Sequence, residues 1–297
     1  MNRPRLGFIG IGLMGEAMTR RLLERGWQVT AWNLEPERLD LVTPHGAVTA
    51  ASPADVVAAS DIVLMCVLDG KAVDHCVFGE RGIAAASAGR GKLLIDLSTI
   101  DPAATRDMAA RLAAQAGTGW IDCPVSGGPA AAREGALTIM AGGADADFAR
   151  GHAVLAELGG NVTHMGPAGA GQTAKIINQA IVGVGYVLMT EAAVLAEASG
   201  IAADRLPACL GGGFADSMLL QKLYPRIQRR DFDPPLAYAR QLLKDLKAVS
   251  AFAREHHCDL PLVAEAGARY AAFVAEGNAM AEPAALIRLY ESSSPAR

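Results

Sequence analysis

The stretch LGFIGIGLMGEAM, Leu6–Met18, decides the fold. Its first residues, LGFI, read as a short buried strand. Gly10, Gly12 and Gly15 follow at the spacing G-x-G-x-x-G, with Ile11, Leu13 and Met14 between them. The chain then continues as GEAMTRRLLERG, a helical pattern that stops at Gly26. In a chain with 32 glycines the spacing alone is a weak signal. Between a strand and a helix it acquires a physical meaning. The first glycine permits a tight turn, the second lets a ligand approach the backbone, and the third lets the helix pack on the strand. The free N–H groups of the helix then face an anion. A glycine-rich turn without a ligand would show the same residues, but the flanking pattern favours a pyrophosphate and hence a dinucleotide.

Outward from this turn, short apolar runs alternate with helical segments. WQVTAWN, DIVLMCVL, KLLIDLST, GWIDCPVS, ALTIMAGG and NVTHMG read as strands. DPAATRDMAARLAAQAG reads as a helix with Asp101 as its N-cap and Pro102 at its first position. Interleaved strands and helices imply a parallel sheet covered on both faces, an α/β Rossmann-type domain. After Gly171 the strand patterns end. Gln172–Gly200 forms one 29-residue apolar run without proline, and every later segment reads helical. The expected organisation is a dinucleotide-binding domain over residues 1–165 and an all-α domain over 166–297, joined by the long helix. The 297-residue length suits two domains. The segment SSSPAR, Ser292–Arg297, reads as a loose tail.

Composition narrows the functional classes. With 51% hydrophobic and 20% charged residues, the chain has ample material for a core. A net charge of −4 lacks the basic footprint of a nucleic-acid binder. The N-terminal segment enters a strand directly and is broken by glycines, so neither a signal peptide nor a membrane span is expected. Five scattered cysteines without a C-x-x-C pair fit a reducing cytoplasm. Adjacent His256 and His257 point apart on a helix, and no other spacing suits a metal, so no metal site is expected.

The end of the second strand should meet the adenosine ribose. Asn33, Leu34 and Glu35 stand there, with Arg38 one turn on. An acid at this point suits the 2′-hydroxyl of NAD, whereas an arginine suits the 2′-phosphate of NADP. Glu35 favours NAD, and Arg38 keeps NADP open.

Lys175 is a single cation in the apolar run, with Asn178 and Gln179 at i+3 and i+4 on the same helical face. Hydride transfer to a carbonyl creates an alkoxide that needs a proton and a nearby positive charge, both of which a lysine ammonium supplies. In the reverse direction the amine must be neutral, which calls for burial or a second cation such as Lys244. A solvated lysine in a first turn is the commoner case, but it would not come in company with a phosphate loop and an anion loop. PVSGGPAAAREG supplies that loop: the Ser126 hydroxyl and the backbone N–H groups around Gly127 and Gly128 form a candidate anion nest. Cys123 reads as a small buried residue. GGGFADS, Gly211–Ser217, reads as a hinge or a lid, with Phe214 and Asp216 as candidate site-liners.

Taken in order, GFIGIGLMG, DCPVSGGPAAAREGALTIMAGG, GAGQTAKIINQ and LLKDL resemble the β-hydroxyacid dehydrogenase family, over nearly the whole chain. The resemblance implies an NAD(P)-dependent oxidoreductase interconverting a small β-hydroxy acid and its semialdehyde or oxo acid. It implies catalysis by Lys175, substrate carboxylate on Ser126, Gly127 and Gly128, Thr99 and Lys244 beside the cofactor, and Val67 and Leu68 along the nicotinamide. Asn178-Gln179 looks more like the tartronate semialdehyde reductases than the 3-hydroxyisobutyrate dehydrogenases, many of which have two asparagines. Leu34 stands where NADP-preferring members have arginine. The alternatives are an imine reductase, whose members usually lack a lysine here, and a dinucleotide-binding protein without catalysis. A homodimer or homotetramer built by the second domain is expected from Gly183, Gly185, Ala192 and Ala193 on the long helix.

Overall fold

A computed structural model describes residues 3–86 and 89–291; the tail read as a loose end, 292–297, lies outside them. The chain divides into two compact units, Met1–Lys175 and Ile176–Arg297.

The first unit runs β1 (Leu6–Ile9), α1 (Leu13–Glu24), β2 (Val29–Trp32), β3 (Val48–Thr49), α2 (Pro53–Ala59), β4 (Ile62–Met65) and α3 (Gly70–Phe78). It continues with β5 (Leu93–Asp96), α4 (Pro102–Ala116), β6 (Gly119–Asp122), β7 (Val125–Ser126), α5 (Gly128–Glu134), β8 (Leu137–Gly143), α6 (Asp145–Leu158) and β9 (Gly159–Gly166). Among the described residues nine strands make one sheet in the order β3-β2-β1-β4-β5-β6-β8-β7, with β9 on β8. From β3 to β6 every pairing is parallel. The parallel sheet inferred from the sequence ends there, because β8 runs antiparallel to both β6 and β7. The cause is local. Only Cys123 and Pro124 separate β6 from β7, which runs on in the same direction, and the chain then turns through the seven-residue α5 straight into β8 alongside both, without a crossover to the other end of the sheet.

The central strands are apolar on both faces because both faces are covered. Leu6, Phe8, Leu64 and Ile95 pack with Met18 and Leu22 of α1 and Val154 and Leu155 of α6. Ile9, Val63, Met65 and Leu94 pack on the opposite side with Val56 of α2, Val73 of α3 and Leu112 of α4. Each such buried side chain is worth about 1.5–3 kcal/mol. The α4 helix starts as its sequence indicated: Asp101 accepts the Ala104 N–H at 2.8 Å and Pro102 takes the first position. It ends at Gly117 in the left-handed conformation, φ 65°.

The helix α7 (Ala170–Ala198) begins in the first unit and ends in the second. The second unit adds α8 (Leu206–Leu210), α9 (Tyr224–Arg229), α10 (Ala239–Glu255), α11 (Pro261–Phe273) and α12 (Arg288–Glu291), and no strand among the described residues. By length and composition α7 could cross a bilayer. Here Val187, Met189 and Ala193 instead enter the core of the second unit with Leu246, Tyr270, Phe273 and Leu286. The glycines of α7 serve that same core. A Cβ on Gly183 would lie 2.5 Å from Leu246, and one on Gly185 would lie 2.2 Å from Leu219. The small residues read as a surface for another subunit therefore admit side chains of their own unit. What α7 exposes is a set of large residues, Ile177, Ile181, Leu188 and Leu195.

Candidate active site

Three glycines of the first turn do three different things. Gly10 has φ 95°, and a Cβ there would meet the Cys66 carbonyl oxygen at 2.3 Å. A Cβ on Gly15 would lie 1.8 Å from the Gly10 carbonyl oxygen, so α1 approaches β1 closer than any side chain permits. Gly12 is different. Its φ of −78° suits any residue, and no protein atom lies within 4 Å of where a Cβ would sit. Nothing within the chain requires glycine at 12. The open cradle at this point, and the absence of a side-chain cap on α1, fit a pyrophosphate held by backbone N–H groups.

The turn is held from both sides by side chains. The buried carboxamide of Asn33 accepts the Ile11 N–H at 2.6 Å, and Arg38 Nε donates to the Ile11 carbonyl at 2.9 Å. Arg38 stands on a 3-10 turn, Pro36–Leu41, rather than on an α-helix. Asn33 Nδ2 donates to the Glu35 carbonyl and to its carboxylate at 2.9 Å, which fixes that acid at the end of β2. Leu13, Leu34 and Leu68 are exposed along this edge, and Met14 is half-buried.

Polar residues collect at the carboxyl ends of the next strands. The Val67 N–H donates to Ser98 Oγ at 3.0 Å, and the Ser98 N–H donates to Asp96 at 3.0 Å. Thr99 is exposed beside them. Asp96 and Asp122 occupy neighbouring register positions on β5 and β6, and both are fully buried. Burial pushes the Asp96 carboxyl up to about 7, helped by the Asp122 charge and opposed by the bonds from Ser98. Burial also raises Asp122, against the backbone N–H groups it accepts from Gly169 and Gln172. Burial pushes Cys66 up to about 12 and Cys123 well above its ordinary range, so both remain thiols, in keeping with the reading of Cys123.

Lys175 lies on the second turn of α7 and is buried, with 9% of its surface exposed. Ser126, Gly127 and Gly128 lie between β7 and α5. Both glycines have positive φ, 131° and 72°, which turns successive N–H groups along the loop. The segment after them, read as a loop, is the seven-residue helix α5.

In the second unit Asn178 donates to Gln179 at 2.8 Å, and Gln179 donates to Asp245 at 2.6 Å. Lys244 is 68% exposed, and its ammonium lies 3.3 Å from Asp245. Phe214 is fully exposed. Asp216 accepts from the Gly212 N–H and from Gln221, so it braces its own loop. The described residues hold no group of three or more His, Cys, Asp or Glu placed for a metal.

Asp96, Ser98, Asp122, Gln172 and Asp245 were not singled out from the sequence. Aspartates ending two consecutive apolar strands, LLID and GWID, were the available signal.

Residues 5–166 match the model described as the NAD binding domain of 6-phosphogluconate dehydrogenase. Residues 169–290 match that described as NAD-binding of NADP-dependent 3-hydroxyisobutyrate dehydrogenase. The chain is 36% identical to the 2-hydroxy-3-oxopropionate reductase of Escherichia coli, over 97% of each. It is 34% identical to the L-threonate dehydrogenase of Cupriavidus necator, over 96% of this chain and 95% of that one. A solved structure of Mycobacterium tuberculosis 3-hydroxyisobutyrate dehydrogenase with L-serine superposes with a TM-score of 0.86 at 28% identity, covering 97% of this chain and 99% of that one. The fold and these matches define a nicotinamide-dinucleotide oxidoreductase acting on CH–OH groups. The chain belongs to the β-hydroxyacid dehydrogenase family.

The glycines separate stability from binding. Gly15→Ala should lower the melting temperature of the ligand-free protein by several degrees, because its methyl meets backbone. Gly12→Ala should leave that temperature unchanged and weaken dinucleotide binding in a fluorescence titration. Equal effects in both assays would remove the distinction.

Asp96 gives stability a pH dependence of definite sign. Its folded pKa of about 7 lies above the ordinary 3.8. Between these values the folded state holds a proton that the unfolded state has lost. Stability contributed by this group therefore falls as pH rises from about 4 to about 7, and levels off above that. Asp96→Asn should gain thermal stability over the native protein at pH 8 relative to pH 5. A pH-independent difference between the two would show that Asp96 is not the titrating group.

Proposed function

We propose that the chain interconverts a small β-hydroxy acid and its semialdehyde or oxo acid, with Lys175 moving the proton. The observation that carries this reading is a lysine buried on the second turn of α7, in the same unit as the glycine turn and the Ser126 loop. A buried lysine is costly, and buried titratable groups cluster at functional sites.

The dinucleotide, when bound, takes up or gives the hydride. Lys175 does the acid–base work at the substrate oxygen: its ammonium donates to the forming alkoxide, and its neutral amine accepts the hydroxyl proton in the other direction. Ser126 Oγ and the N–H groups of Gly127 and Gly128 hold the substrate carboxylate. Asn178 and Gln179 continue the helix face of Lys175 and orient the substrate. The pair Asn178-Gln179 and the likeness to a 2-hydroxy-3-oxopropionate reductase support a three-carbon substrate of that type. Lys175→Ala should lower kcat by about 10²–10⁴-fold with dinucleotide affinity nearly unchanged. A panel of β-hydroxy acids followed by nicotinamide absorbance measures both substrate choice and the loss. A variant that keeps most of its kcat would remove the role.

For the cofactor we favour NAD, because Glu35 is held by Asn33 at the end of β2 and Leu34 offers a 2′-phosphate no partner. At about 4 Å and an effective dielectric of 20, two unit charges repel by roughly 4 kcal/mol before screening. Leu34→Arg with Glu35→Ser should therefore shift kcat/KM toward NADP. One observation favours the second reading. Arg38 already lies against the glycine turn through Ile11, where a guanidinium suits a phosphate. A native preference for NADP that disappears in Arg38→Ala would establish that reading instead.

A further inference from the structure

We propose that Asp122, with Gln172, is a positioning pair that sets the place of Lys175; this rests on the reading of Lys175 as the proton-transferring group. The starting point is the helix end. The first N–H groups of a helix have no partner within it and need one from outside. The usual source is a residue just before the helix. In α7 it is Asp122, 47 residues earlier than Gly169, at the end of β6. Asp122 Oδ1 accepts the Gly169 N–H at 2.7 Å, and Oδ2 accepts the Gln172 N–H at 2.9 Å. Both carboxylate oxygens are thus used on one helical turn, and the residue is fully buried. Gln172 adds the second hold. Its side chain donates to the Ser98 carbonyl at 2.8 Å and accepts the Ile100 N–H at 3.1 Å.

Close backbone approach at the same place is an independent observation. A Cβ on Gly142 of β8 would lie 2.7 Å from Asp122 Oδ1 and 2.6 Å from the Gly171 nitrogen. A Cβ on Gly171 would lie 2.3 Å from the Met140 carbonyl and 2.6 Å from that of Asp122. Two glycines are therefore needed to let the start of α7 down onto β6 and β8. The turn that holds Lys175 begins three residues beyond Gln172, so a helix held at 169 and 172 fixes the lysine's height and rotation.

The pair also joins parts of the site. Asp122 precedes Ser126 by four residues on the same segment. Ser98, whose carbonyl takes the Gln172 amide, also takes the Val67 N–H through its hydroxyl. One buried network therefore ties the lysine helix to the anion loop and to the segment after β4. Asp122 acts on the reaction through Lys175 and touches neither substrate nor cofactor in this assignment.

The test is a double-mutant cycle in the full-length protein with Asp122→Asn and Lys175→Ala, reading kcat, KM and dinucleotide affinity. Asparagine is nearly isosteric, but its NH₂ faces one of the two N–H groups that need an acceptor. Displacements of about 1 Å cost on the order of 10²-fold in rate. Asp122→Asn should lower kcat by about 10–100-fold, with dinucleotide affinity and KM little changed, and should cause no further loss in the Lys175→Ala background. Native kcat in Asp122→Asn overturns the proposal. So does an equal loss in both backgrounds, which would mark general structural damage. Native rates in Lys175→Ala alone overturn the lysine reading, and the positioning role with it, and that single variant identifies the cause. Should Asp122→Asn not bind dinucleotide, Gln172→Met, which removes the second hold while keeping the backbone bond to Asp122, is read through the same cycle with the same outcomes.

Discussion

The approach of Gly15 to the Gly10 carbonyl is the constraint on which the first unit depends. A Cβ at Gly15 would sit 1.8 Å from that oxygen, a distance no rotamer change relieves because both partners are backbone. With the methyl absent, α1 can lie directly on β1 and bury Met18 and Leu22 against Leu6 and Phe8. The same contact aims the first turn of α1 at the mouth of the sheet. Packing and the capacity to bind thus share one cause: the geometry that closes the core also points helix N–H groups to where an anion can bind.

Around that mouth each strand end solves the same problem. A loop leaving a buried parallel strand carries backbone groups that must find partners. Asn33 takes the Ile11 N–H, Ser98 takes that of Val67, Asp96 takes that of Ser98, and Asp122 takes those of Gly169 and Gln172. Asn33 and Ser98 each hold the loop after an adjacent strand, Asp96 holds the turn after its own, and Asp122 holds the start of α7. Rigid loops on a rigid sheet are what a hydride-transfer site needs, since the reacting atoms must meet within a narrow range of distances.

Much of this was legible in the sequence, for physical reasons. The parallel strands were visible because residues buried on both faces leave uninterrupted apolar runs, as in DIVLMCVL. Both ends of α4 were visible because Asp101, Pro102 and Gly117 act within a few residues of where they stand. The long helix was visible from its length, yet it starts at Ala170 rather than Gln172. Its N-terminal partner is Asp122, which no local pattern could connect to it. The reversal at β8 was not legible for a related reason: GWIDCPVS and ALTIMAGG both read as strands, and only their pairing, through Ile121–Asp122 and Val125–Ser126, shows that the second runs back against the first. At the site, residue types were legible and their partners were not. The substrate reading of Gln179 came from its place on the helix, whereas its bond to Asp245, which also lies 3.3 Å from Lys244, appears only in the fold.

Within the second unit Lys244 is two-thirds exposed and paired, so solvent and Asp245 both screen its charge. The first unit offers a different electrostatic element. Two fully buried carboxyl groups sit side by side at the ends of β5 and β6, and burial pushes the Asp96 carboxyl up to about 7. Near neutral pH Asp96 is then partly protonated. Burial raises the Asp122 carboxyl as well, and the two N–H bonds that it accepts at the start of α7 oppose that rise. Its carboxylate lies at the positive end of the helix that carries Lys175, where the helix dipole favours negative charge.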